Sequence, residues 1–204
     1  MSFKVGVLAS GTGSNLQALL DKVHGRDGIE IVAVGSNKPD ARALERAREA
    51  GIETRVFPAA DYADRAARDV AMADWLESSG VELLVLAGFM ELLSPPFIRR
   101  FQGRIVNVHP SLLPAFPGMD SIRQAFDYGV RVTGVTVHFV DEGVDTGPIV
   151  LQEAFELPYH RDIEAVETRV HEIEHELLPR AVRLFAKGAV ELDGRHVRIR
   201  DGEG

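Results

Sequence analysis

Residues Ile105–Gly118 read IVNVHPSLLPAFPG. Ile105, Val106 and Val108 are apolar and β-branched, the composition of a buried strand. Side chains alternate along a strand, so Asn107 and His109 face one way and Val106 and Val108 the other. Pro110 has no N–H to give to a ladder, which predicts the strand's end. The stretch therefore delivers an amide and an imidazole side by side at a C-terminal strand end, the edge where open α/β sheets bind ligands. The remaining PSLLPAFPG, with three prolines, predicts a stiff, partly apolar loop suited to walling a pocket. A polar pair that only caps a strand end would read the same way. Thr133–Gly147, TGVTVHFVDEGVDTG, shifts the balance: a strand leads into an acidic loop whose Asp145 is placed to reach the imidazole and set its protonation.

Outward from this strand, helical and extended patterns alternate. Phe3–Ala9 is an apolar run of the kind buried in parallel sheets, and a helical pattern runs from Leu16 to about Val23. Between them stands Ser10–Asn15, SGTGSN. Its glycines let the backbone approach a ligand, and the following helix offers unpaired N–H groups and a positive dipole end. That combination cradles phosphate. The dinucleotide fingerprint needs a third glycine where Leu16 stands, and a nucleotide-binding Walker loop needs a lysine that is not there. The loop therefore suits a monophosphate. A tight turn capped by Ser14 or Asn15 is the plainer alternative.

Ile29–Gly35 predicts a second strand with no acid at its end to hold a ribose. A helix over Ala41–Ala50 and a short strand over Glu53–Phe57 follow. A long helix is expected over Asp61–Ser79, with Tyr62, Ala66, Val70, Ala73 and Leu76 as its apolar side. Val81–Ala87 reads as another buried strand, leading to the apolar turn Gly88–Leu93 and a short helix opened by Ser94-Pro95-Pro96. Beyond the quoted stretch come a helix over Asp120–Tyr128 and strands over Val132–Val140 and Ile149–Leu157, paired as a hairpin whose loop carries Asp145. A long helix over Asp162–Lys187, with a kink expected near Pro179, and a terminal hairpin of Val190–Leu192 with His196–Ile199 complete the pattern. The alternation predicts a doubly wound, mostly parallel α/β sheet with a C-terminal hairpin and long helix.

At 204 residues the chain is long enough to bury one full core, and a single domain over 1–204 is expected. The absence of cysteine excludes disulfides, thiolate metal sites and a cysteine nucleophile. MSFKVGVLAS passes straight into a strand pattern, so no signal peptide is expected, and no apolar run has the length of a membrane span. A cytoplasmic protein is the expectation, with no membrane partner. A net charge of −8 argues against nucleic acid as the main partner but leaves room for a small anionic substrate. His171–His175, HEIEH, matches the H-E-x-x-H of zinc proteases. His171 and His175 share a helix face, yet no clear third ligand follows, His196 lying in a polar hairpin, so no metal is expected. His24, His160 and His196 read as surface or loop histidines.

SGTGSNLQAL, SNKPDARALERA, LAGFMELLSP, IVNVHPSLLPAFPG and GVTVHFVDEGVDTGPIVLQ together resemble the phosphoribosylglycinamide formyltransferases, a folate-dependent branch of the formyltransferase family. The resemblance runs from Val5 to about Lys187. It implies a Rossmann-like formyltransferase fold, with a phosphate-binding half over about 1–100 and a catalytic and folate-binding half over about 101–204. It implies 10-formyltetrahydrofolate as co-substrate, glycinamide ribonucleotide as acceptor, a role in purine synthesis, and no metal. Partners would be small molecules, the assembly a monomer or homodimer. By resemblance, Gly13, Ser14 and Asn15 hold the phosphate and Glu174 the ribose. Arg65 meets the folate, while Met90, Glu91, Leu92 and Leu93 and the loop Asp141, Glu142, Gly143, Val144 and Asp145 wall the pterin, beside Asn107. Asn107, His109 and Asp145 match the catalytic trio. The family usually has Arg where this chain has Glu91. That change is neutral if the segment binds pterin through its backbone, and alters folate affinity if an arginine there meets the folate's acidic tail.

The chemistry expected is direct attack of an amine on a formyl carbon. Asn107 and the His109 N–H would stabilise the oxyanion, and Asp145 would favour the imidazolium. Hydrolysis of formyltetrahydrofolate with water as acceptor is the nearest alternative. A methionyl-tRNA formyltransferase would need an RNA-binding domain and a basic surface. A non-catalytic nucleotide-binding module would have no use for the trio.

Overall fold

The computed structural model describes residues 2–157 and 162–200; His160, read as a loop histidine, lies outside them. Seven strands form one sheet in the order β3-β2-β1-β4-β5-β6-β7. The chain clusters into two compact units, Met1–Val106 and Asn107–Gly204.

In the first unit, β1 (Phe3–Leu8), β2 (Ile29–Ser36), β3 (Glu53–Val56) and β4 (Leu83–Leu86) pair in parallel, β1 between β2 and β4. Val5, Val7, Ile31, Val34 and Leu83–Leu86 are buried, as near-continuous apolar strands demand when helices cover both faces. The strand order reverses between β1 and β4, the switch point at whose carboxyl edge open α/β sheets bind ligands, and the loops leaving the two strands are joined there by the Ser10 N–H on the Gly88 carbonyl at 3.0 Å.

Helix α1 (Ser14–Lys22) begins earlier than the apolar pattern predicts, and neither Ser14 nor Asn15 caps it. The residue before it, Gly13, is left-handed at φ 73° with no side-chain cap, so the turn is made by backbone geometry. Helix α2 (Arg42–Glu49) follows as expected. The expected helix over Asp61–Ser79 is instead a 3-10 turn at Ala59–Asp61 and helix α3 at Arg65–Ser78. Asp64 starts α3 by accepting the Ala67 N–H at 2.8 Å. The buried face of α3 also differs: Arg68, Asp69, Met72, Ala73, Trp75 and Leu76 turn inward, while Val70 is 50% exposed. Trp75 fixes that rotation, with its indole N–H on Glu53 at 2.7 Å and its ring against Phe57.

The short helix α4 (Pro95–Arg100) leads to β5 (Ile105–His109), the strand that opens the quoted stretch. In the second unit α5 (Ser121–Tyr128) precedes an antiparallel hairpin of β6 (Val132–Phe139) and β7 (Ile149–Glu156). Helix α6 (Ile163–Ala186), with Pro179 inside it, buries Val166, Val170, Ile173, Leu177 and Val182 over that hairpin. Each such side chain contributes about 1.5–3 kcal/mol of burial. The small hairpin of β8 (Val190–Asp193) and β9 (His196–Ile199) ends the described chain.

Candidate active site

Strand β5 does what its alternation dictates. Val106 and Val108 are buried in packing, while Asn107 and His109 meet the hairpin. His109 Nδ1 lies 3.4 Å from Asp145 Oδ2, an ion pair whenever the ring is protonated. Asp145 sits on the β6–β7 connection at φ 53°, a left-handed position that aspartate tolerates. Its Oδ2 also accepts the Gly118 N–H at 2.7 Å. The connection is braced: Asp141 Oδ1 accepts from Thr146 Oγ1 at 2.6 Å and from the Gly143 N–H at 3.1 Å, and Arg195 donates to the Thr146 carbonyl at 2.7 Å.

A fourth side chain completes the cluster and was missed by the sequence reading. His138, on β6, lies with Nε2 3.2 Å from Asn107 Nδ2 and 3.6 Å from Asp145 Oδ1. Its Nδ1 is 2.8 Å from the Phe139 carbonyl. A carbonyl only accepts, so Nδ1 carries the proton, and in the neutral ring Nε2 accepts from the Asn107 amide. That bond turns the Asn107 NH2 toward the cluster and leaves it a second N–H. The local signal is an imidazole in a strand with no other ionisable side chain. The β6–β7 register shifts between Val137 and His138, a bulge of the kind that re-aims side chains beside active sites.

The Pro110–Gly118 loop departs from expectation in one respect. His109 was expected to turn its N–H toward a cavity; here Nε2 donates to the Phe116 carbonyl at 2.9 Å. Phe116 has φ 51°, uncommon for a bulky residue and strained by about 1–3 kcal/mol. The loop folds back because Thr136 and Gln152 staple it: Thr136 Oγ1 donates to the Ser111 carbonyl at 2.7 Å, and Gln152 Nε2 donates to the Leu113 carbonyl at 2.9 Å. Glu174, buried on α6, bonds His171 at 3.0 Å. Among the described residues no group of three or more His, Cys, Asp or Glu side chains is arranged to hold a metal ion.

Burial pushes the His138 pKa down, against the Phe139 carbonyl and the Asp145 charge. The Glu174 hydrogen bond pulls the His171 pKa up, against burial. Their effects on stability have opposite signs. For His138 the unfolded chain binds the proton first, so its contribution is complete above about pH 6.5 and is lost as pH falls through the lowered folded value. For His171 the contribution is complete below about pH 6.5 and is lost as pH rises through the raised folded value. In thermal unfolding from pH 5 to 8, His138→Gln should flatten the acid-side decline and His171→Gln the alkaline-side one. Unchanged slopes in both variants would contradict these assignments.

In the first unit, the loop carrying Gly13, Ser14 and Asn15, Asn37 and residues 88–94 follow the carboxyl ends of β1, β2 and β4, and Ser10 joins them through its bonds to Asn37 and the Met90 N–H. A Cβ on Gly13 would lie 2.7 Å from the Cα of Ala43, so only glycine fits there. Arg65 donates to the Leu92 carbonyl, and Glu91 pairs with Arg68. Burial raises the Glu91 pKa, but hydrogen bonds from Arg68 and Asn37 and the charges of Arg68 and Arg65 outweigh it and hold the carboxyl low. Leu93 is buried, whereas Met90 and Leu92 are 54% and 59% exposed.

The sequence profile of the formyl transferase family matches residues 3–182. The phosphoribosylglycinamide formyltransferase of Bacillus subtilis is 41% identical over 88% of this chain and 93% of its own length. The trifunctional purine biosynthetic protein adenosine-3 of Bos taurus is 47% identical over 96% of this chain, which spans only 19% of that longer protein. The crystal structure of glycinamide ribonucleotide transformylase 1 from Symbiobacterium toebii superposes with a TM-score of 0.94 at 47% identity, covering 98% of this chain and 95% of the other. A mostly parallel sheet, an Asn–His strand end met by an aspartate from a hairpin, and a family match over most of the length agree: the chain belongs to the formyl transferase family.

Proposed function

We propose that this chain transfers the formyl group of 10-formyltetrahydrofolate to the primary amine of glycinamide ribonucleotide, as a cytoplasmic step of purine synthesis. The observation that carries this reading is the cluster of Asn107, His109, His138 and Asp145 at one strand end. It joins amide N–H groups, an imidazole and a carboxylate, the set that acyl transfer to an amine requires.

The amine nitrogen attacks the formyl carbon, and the carbonyl π pair moves onto oxygen. The second N–H of Asn107 meets that oxyanion. His109 meets it by exchanging the Phe116 carbonyl for the developing charge, and release of the strained Phe116 backbone favours the exchange. A preorganised donor of this kind contributes about 2.7–4 kcal/mol to the transition state. Asp145 holds the His109 ring in place, the oxyanion pair re-forms the C=O bond as the C–N10 bond breaks, and a proton from the attacking amine passes to N10. No step needs a covalent enzyme intermediate or a metal ion.

Gly13, Ser14 and Asn15 hold the acceptor's phosphate on the N-terminus of α1, and Glu174 holds its ribose. Arg65, Met90–Leu93 and Asp141–Asp145 serve the folate. Residues 1–204 act as one catalytic domain, the first half binding phosphate.

Tetrahydrofolate release measured with and without glycinamide ribonucleotide tests the reading. Release only with the ribonucleotide is expected; equal release without it would make the chain a hydrolase. In the same assay Gly13→Ala should raise KM for the ribonucleotide by about tenfold or more, because the added methyl displaces the N–H cradle from Ala43. KM for the formyl-folate should change far less. Equal changes in both constants would remove the phosphate assignment.

A further inference from the structure

Helix α3 turns a charged pair, Arg68 and Asp69, into the protein, at positions that the apolar spacing left outside its buried face. A buried guanidinium is costly unless paired. Arg68 lies 3.7 Å from Asp69 Oδ1 and pairs more closely with Glu91, whose other carboxylate oxygen accepts from Asn37 Nδ2 at 2.6 Å. Asn37 Oδ1 in turn accepts from Ser10 Oγ at 2.6 Å, and Ser10 Oγ accepts the Met90 N–H at 2.9 Å. Two further bonds hold the same segment: Arg65 on the Leu92 carbonyl, and the Ser94 N–H on Asp69 at 2.8 Å.

The bonds fall on Met90, Glu91, Leu92 and Ser94 in turn. The main chain is thus held by polar groups, while the side chains of Met90 and Leu92 stand in solvent. Two exposed apolar side chains on so constrained a segment suit a flat, partly apolar ligand.

We infer that Arg68, acting through Glu91, is a positioning residue that sets the 90–94 segment for the formyl-folate. The inference rests on the proposed folate-dependent activity. It predicts that loss of either partner disturbs the segment, because a buried charge left alone costs far more than the pair itself contributes, and that the two losses are not additive.

The test uses the full chain with Arg68→Met, Glu91→Gln and the double variant, and titrates tetrahydrofolate and glycinamide ribonucleotide by calorimetry. Each single variant should weaken tetrahydrofolate at least about tenfold and change ribonucleotide affinity less than about twofold. The double variant should bind tetrahydrofolate no more weakly than the worse single variant, because the two side chains act as one unit. If a single variant fails to fold, the double variant, which leaves neither partner's charge unpaired, still decides: tetrahydrofolate weakened with ribonucleotide affinity kept supports the inference. Natural tetrahydrofolate affinity in the variants, additive losses in the double, or equal losses for both ligands would overturn the inference. Absence of tetrahydrofolate binding by the natural chain would instead refute the folate reading itself.

Discussion

His109→Ala, Asn107→Ala and Asp145→Ala should each lower turnover by about 10²–10⁴-fold in protein that remains folded. The three residues act through one set of contacts. Asp145 faces both His109 and His138, and His138 orients Asn107. Residues that act as a unit are not additive, so the His109→Ala/Asp145→Ala double variant should fall little below the worse single one. Asp145→Asn separates charge from shape. Its amide oxygen can still accept the Gly118 N–H, so the hairpin stays in place, while the ion pair to His109 is gone. Loss of turnover in Asp145→Asn with an unchanged melting temperature would assign the effect to electrostatics. Turnover near the natural value in all three alanine variants, with circular dichroism showing folded protein, would remove the mechanism.

Gly147→Ala should be the most damaging substitution of similar size. A Cβ there would lie 1.8 Å from the Phe139 carbonyl oxygen and 2.7 Å from its carbon, inside any permissible contact. The obstruction is main chain at the base of the β6–β7 hairpin, where the Phe139 N–H also bonds the Pro148 carbonyl at 2.8 Å, so no rotamer relieves it. The hairpin mouth has to open, at a cost of about 3 kcal/mol or more. The same opening moves Asp145, so stability and turnover fall together. Denaturant unfolding with parallel turnover measurements checks this. A midpoint within experimental error of the natural chain would show that the hairpin yields at little cost, contrary to the geometry. Gly11→Ala is a useful control, because a Cβ there meets nothing within 4 Å.

Much of this molecule is legible without coordinates, because the controlling features are local. Alternation in Ile105–His109 fixes which side chains share a face, and Pro110 stops the ladder wherever the strand sits. The same logic gives the parallel strands, the glycine turn before α1 and the hairpin that carries Asp145. Tertiary structure alone decided the choice of partners. His138 joins the site because strand pairing and a bulge aim it at Asn107, and no period in the sequence records that. The Phe116 carbonyl occupies His109 because Thr136 and Gln152 pull the loop back across residues distant in sequence. The buried face of α3 follows Trp75, Arg68 and Asp69 rather than Val70, since a charge can turn inward only where another segment supplies its counter-charge, and Glu91 is that segment's contribution. Periodicity is a property of neighbours along the chain; the satisfaction of a buried polar group is a property of neighbours in space.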